Sequence, residues 1–92
     1  MPITRVNQFK AAEGKSDELF TFLKSLVPYI TSSEGCLSCD VLQSDDDAGE
    51  FIVIEQWQSR DDHSASVANF PKEEMQSAMT LFGAPPKGAF FH

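Results

Sequence analysis

Few residues in this 92-residue chain could do chemistry, and the first that stand out are two cysteines. Cys36-Leu-Ser-Cys39 has the spacing of a redox dithiol or of half a zinc site. A thioredoxin-like pair opens a helix, and structural zinc needs two further ligands; here the pair lies in a strand-like run with no second Cys/His pair. Residues three apart on a strand point to opposite faces, so the thiols are expected to diverge and to pack. Two cysteines in this setting suggest a reducing compartment. Asp45-Asp46-Asp47 invites a calcium reading but lacks the alternating oxygen ligands of a known cation loop, and reads as a solvated turn.

Acid–base candidates are His63, whose imidazole can move a proton near neutrality, and Glu55. His63 follows Asp61-Asp62 at a helix start, where an exposed position is the bland alternative. Glu55 shares a strand face with Trp57 and, if buried, needs a donor such as Arg5 or Arg60, which reads as a structural ion pair rather than a general base. Asn7 either satisfies strand or loop hydrogen bonds or reaches a pocket. Trp57, the only tryptophan, either packs with its indole N–H on one partner or faces a ligand.

The elements that must position these groups follow from periodicity. Ile3 to Lys10 alternates, with Ile3, Arg5, Asn7 and Phe9 on one face, and reads as a first strand closed by Glu13-Gly14. From about Lys15 to Thr31, Leu19, Phe22, Leu23, Leu26, Val27 and Ile30 fall at helical spacing; Tyr29 lies at the stripe's edge, its ring able to line a cavity with its hydroxyl hydrated. Pro28 removes a backbone donor near that helix's end. Strands over Cys36–Ser44 and Glu50–Gln58 are joined by the acidic turn. Phe51-Ile52-Val53-Ile54 is apolar on both faces, which implies cover on both sides, the second side by another subunit.

Ser59 is an N-cap candidate for a helix reaching about Asn69, with acidic residues in its first turn. Pro71 opens a shorter helix with Met75, Ala78, Met79 and Phe82 inward, ended by Gly83. Ala89-Phe90-Phe91-His92 is a final strand in need of a partner edge. The order β-α-β-β-α-α-β predicts an α+β, ferredoxin-like sandwich: an antiparallel sheet with helices on one face.

Composition bounds the function. With 41% hydrophobic and 23% charged residues, the chain reads as a single domain over residues 1–92, small enough that oligomerisation would help it. A net charge of −7 and seven scattered basic residues argue against nucleic acid or an anionic membrane as partner. No apolar run has the length of a signal peptide or membrane span, so a cytoplasmic location is expected.

The order of elements, Glu34-Gly35-Cys36-Leu37 after the first helix, Glu55-Gln56-Trp57-Gln58-Ser59 at the end of the third strand and the helix that follows resemble the antibiotic biosynthesis monooxygenase family. The resemblance spans essentially the whole chain and is strongest from Glu34 to Phe70. It implies a homodimer forming a dimeric α/β barrel, two sheets face to face, with a pocket in each subunit between sheet and helices. Members include cofactor-independent oxygenases of quinols and polyketide phenols, haem-degrading enzymes and relatives without known catalysis.

In haem-degrading members an asparagine on strand one, a tryptophan ending strand three and a histidine on the next helix form the working set. Asn7 and Trp57 match the first two, but the histidine position falls near Ser66 or Val67, one turn beyond His63. That ranks haem degradation below oxidation of a small phenol or quinol. The resemblance thus implies a monooxygenase without metal, flavin or haem, taking dioxygen as co-substrate. His63 would be its base, Asn7 and Trp57 its donors to substrate or peroxide oxygens, and Tyr29, Phe22, Phe70 and Met79 its substrate-lining residues. The alternatives are a binding protein without turnover and an isomerase or lyase of a small carbonyl metabolite.

Overall fold

The computed structural model describes residues 2–92. Seven elements follow one another: β1 (Ile3–Lys10), α1 (Ser16–Ser32), β2 (Cys36–Gln43), β3 (Glu50–Trp57), α2 (Arg60–Asn69), α3 (Lys72–Met79) and β4 (Lys87–Phe91). The four strands pair antiparallel in the order β2-β3-β1-β4, the ferredoxin-like arrangement. The last strand begins two residues earlier than its aromatic run suggests, because the β1 edge pairs with it as far as Lys87 opposite Gln8.

Period-2 alternation on β3 decides where the core lies. Phe51, Val53, Glu55 and Trp57 are buried on the helix-covered face, and Ile52, Ile54 and Gln56 point the other way, half-buried. Leu19 and Leu23 of α1 close over Phe51 and Val53, with Phe20 stacked on Phe51 at 5.4 Å. The helix runs through Pro28 to Ser32, so the missing N–H is absorbed within its last turns.

Local signals hold the connections. Ser59 caps α2, its hydroxyl accepting from the Asp62 N–H at 3.2 Å. In the acidic turn, Ser44 Oγ accepts from the Asp46 and Asp47 N–H groups, and Asp47 accepts from Gly49 N–H and pairs with Lys10 Nζ at 2.6 Å. Gly35 sits at φ +85°, and a Cβ there would also overlap the Asp62 side chain, so the turn into β2 tolerates no larger residue.

The two thiols do not diverge as strand alternation alone implies. A bulge between Cys36 and Ser38 slips β2 by one residue, setting Cys36 opposite Trp57 and Cys39 opposite Glu55, so both thiols face the helix side. The extra residue, Leu37, is 52% exposed. Burial, reinforced by the Glu55 charge, pushes the Cys39 thiol up to about 12, and Cys36 is raised for the same leading reason. Both are free thiols, poorly ionised and therefore weak nucleophiles near neutrality.

Candidate functional site

One row of residues runs straight across the helix-covered face: Cys39 on β2, Glu55 on β3, Arg5 on β1 and Phe90 on β4, each opposite the next. Asn7 and Trp57 stand one pleat away on the same face. A cavity of about 560 Å³ opens over this row. Its floor is Arg5, Asn7, Glu55 and Trp57; α1 supplies Leu26, Tyr29 and Ile30; α2 supplies His63, Ser66 and Val67; Phe70, Lys72 and Met75 close the α3 side.

Glu55 is the hub of the polar floor. It is 5% exposed, and its two oxygens accept from Asn7 Nδ2 and Trp57 Nε1, each at 2.9 Å. Arg5 Nε donates in turn to Asn7 Oδ1 at 2.9 Å, so the floor reads Arg5→Asn7→Glu55←Trp57. The expected ion pair of Glu55 with Arg5 or Arg60 is not made: neutral donors satisfy the carboxylate, and the Arg5 charge acts only from a distance. Burial raises the Glu55 pKa, while Trp57, Arg5 and Asn7 pull it back down.

His63 reaches the cavity. Its ring meets the edge of Trp57 at 5.6 Å and of Phe90 at 5.1 Å, nearly perpendicular to both. Burial first, and the Arg5 charge second, lower its pKa below 6.5, so the imidazole is neutral near pH 7. Ser66, one turn further along α2, is buried with its hydroxyl on Ser33 Oγ at 2.8 Å.

Among the other expected lining residues, Tyr29 and Phe70 form an edge-to-face pair at 5.2 Å on the cavity wall. The Tyr29 hydroxyl is not hydrated as its edge position suggests; it donates to the Ser66 carbonyl at 2.7 Å and ties α1 to α2. Phe22 lies outside the cavity, in an adjoining groove between α1 and α3. Met79 is 61% exposed and lines neither. The inward side of α3 is set by buried Ala78, which Met75 shares at i−3, so the next residue, Met79, turns outward.

The sequence does not name Arg5, Ser66, Lys72 or Met75 as lining residues. Arg5 enters there only as a donor for Glu55, although it shares a strand face with Asn7; Ser66 only as the place of the family histidine; Met75 only as an inward residue of the third helix; and Lys72, which depends on how α3 packs, carries no local signal.

Fold and site together define an α+β sandwich with a ligand-sized cavity between sheet and helices. The chain belongs to the antibiotic biosynthesis monooxygenase family, whose model matches residues 2–80. Solved structures with the same fold include Rv0793 from Mycobacterium tuberculosis, 18% identical, with 100% of this chain and 94% of that one covered at a TM-score of 0.88. PA3566 from Pseudomonas aeruginosa is 23% identical, with 99% and 92% covered at 0.84. SnoaB from Streptomyces nogalater, a cofactor-independent oxygenase, is 16% identical, with 99% and 91% covered at 0.85. No curated protein matches the sequence.

Proposed function

We propose that this chain is a cofactor-independent monooxygenase of a small phenol or quinol, with dioxygen as co-substrate. The observation that carries the reading is His63, whose ring lines a ligand-sized cavity with apolar walls and a polar floor of Arg5, Asn7 and Glu55, in a member of this family. The SnoaB likeness supports the absence of a cofactor.

His63 takes the phenol proton, and the electron-rich phenolate reduces dioxygen directly, forming a ring-carbon peroxide. Loss of water from that peroxide leaves a quinone, so one oxygen atom enters the ring and the other departs as water. The protein contributes deprotonation, positioning and stabilisation of negative charge in a water-poor site. Asn7 has a second amide hydrogen beyond the one given to Glu55, and that hydrogen serves substrate or peroxide oxygen. Trp57 spends its only N–H on Glu55, so it acts through its ring and by fixing the carboxylate.

In the same reading a second copy covers the open sheet face, where Leu42 and Phe91 are 48% and 55% exposed beside half-buried Val6, Ile52 and Ile54. The free thiols suit a reducing compartment such as the cytoplasm. Among the described residues no helix is long and apolar enough to cross a membrane.

A second reading, binding without turnover, is favoured by one observation: Glu55 already occupies the Trp57 donor and one Asn7 donor. Oxygen uptake with a hydroquinone in chelator-treated buffer separates the two. The oxygenase reading expects uptake with formation of a hydroxyquinone that carries one atom of the dioxygen, the other leaving as water, at a rate lowered roughly 100-fold in His63→Gln and strongly in Asn7→Ala and Trp57→Phe. Uptake unchanged in these variants removes the residues from the mechanism; quenching of Trp57 by the quinol without uptake leaves the binding reading.

A further inference from the structure

From the charges lining the cavity we infer that its ligand is an aromatic oxyanion, and that Arg5 is the residue that binds the negative group. The inference rests on the cavity being a substrate site and narrows the substrate class. The chain as a whole is acidic, at −7. Its cavity is the reverse: Arg5 and Lys72 line it against one carboxylate, Glu55, whose two oxygens are already held by Asn7 and Trp57. A cation is repelled by that arrangement and a neutral ligand gains only hydrogen bonds, whereas an anion, including a phenol once its proton is lost, is drawn to it.

Arg5 is built for the task. Its Nε is fixed on Asn7 Oδ1, its guanidinium lies over the Phe90 ring at 4.7 Å, and it fills the space above Gly88, where a Cβ would overlap it. Fixing Nε and seating the guanidinium over a ring removes much of the freedom an arginine loses on binding. No carboxylate lies within ion-pair distance of it among the described residues, where the ion pairs involve only Lys10 and Lys15. Its Nη groups have no protein acceptor there either, which leaves the forked end for a carboxylate or phenolate. Phe9 and Trp57 beside it on the sheet, and Tyr29 and Phe70 on the helix side, suit a flat ring.

Trp57, the only tryptophan, reports directly on this cavity. Quenching and calorimetric titrations compare 4-nitrobenzoate, 4-nitrophenolate and the neutral isostere 4-nitrobenzamide in mildly alkaline buffer, where both acids are ionised. At least one anion is expected to bind about tenfold or more tightly than the amide, and which one does identifies carboxylate or phenolate as the preferred group. Arg5→Gln should reduce that preference to about twofold or less, and Arg5→Lys should retain part of it by keeping the charge without the fork. Lys24→Gln, an equal loss of charge outside the cavity, should leave it intact. Equal binding of all three probes to the unmodified protein, or a preference that survives in folded Arg5→Gln, overturns the inference. Arg5-dependent binding of these anions together with no oxygen consumption on the hydroquinone would sink the oxygenase reading and leave this one standing. Oxygen consumption on a neutral quinol, equal in the unmodified protein and Arg5→Gln, would do the opposite.

Discussion

The two faces of the sheet are built from the same strands but solve different problems. On the helix-covered face of β3, Phe51, Val53, Glu55 and Trp57 are all buried, and even the charged member has its hydrogen bonds made within the chain. On the opposite face, Ile52 and Ile54 remain half-buried beside exposed Leu42 and Phe91. The first face is complete in one copy and holds a cavity. The second is apolar without cover, which is why the proposal places a second subunit there. Alternation along one strand thus separates the residues that set stability and chemistry from those that set association.

The largest expected effect tests that separation. Phe51→Ala should cost about 3–5 kcal/mol in denaturant unfolding, because it opens a cavity under Leu19 and Leu23. Ile54→Asp, three residues away on the other face, should leave the subunit folded by circular dichroism and shift the sedimenting species to a single chain. If Ile54→Asp unfolds the protein as Phe51→Ala does, the two faces are not independent and the comparison breaks.

A smaller effect concerns the polar row. Glu55→Gln replaces an acceptor by an amide N–H, which then meets a donor, either Asn7 Nδ2 or Trp57 Nε1. A loss of about 1–3 kcal/mol near neutral pH is expected. The pH dependence carries the same signature. Because burial raises the folded pKa of Glu55 above 4.5, the folded state holds that proton more tightly than the unfolded chain. The Glu55 contribution is therefore fully present below pH 4.5 and falls as pH rises through the folded pKa. Differential unfolding of Glu55→Gln and the unmodified protein across that window should show the slope vanish in the variant.

The smallest effect is the opposite slope at His63. Its folded pKa lies below 6.5, so the unfolded chain binds the proton first, and stability is lost as pH falls from 6.5 through the folded value. An NMR titration of the His63 ring should place its midpoint below 6.5, and Arg5→Gln should move it upward by removing the second cause. A midpoint at or above 6.5 would mean that the ring is neither buried nor close to Arg5, and would separate His63 from the polar row.

Much of this was readable from residue order alone. The period-2 and helical stripes fix the seven elements because burial of one face is local arithmetic along the chain. They also place Arg5, Asn7 and Phe9 on one face of β1 and Glu55 and Trp57 on one face of β3. Ser59 as a cap and the acidic turn follow from side chains bonding their own backbone within a few residues.

What needed the tertiary structure was every relation between distant segments. Register sets Arg5 against Glu55 and Phe90; a bulge turns Cys36 and Cys39 to one side; packing brings His63 against Trp57 and leaves Met79 outside. The physical reason is that alternation says which face a side chain takes, but one slipped residue reverses that answer for everything beyond it. Which donor a buried carboxylate finds is likewise a matter of distance across strands. Sequence offered Arg5 or Arg60 to Glu55, and the fold gave it Asn7 and Trp57, leaving Arg5 beside the cavity with its forked end unused.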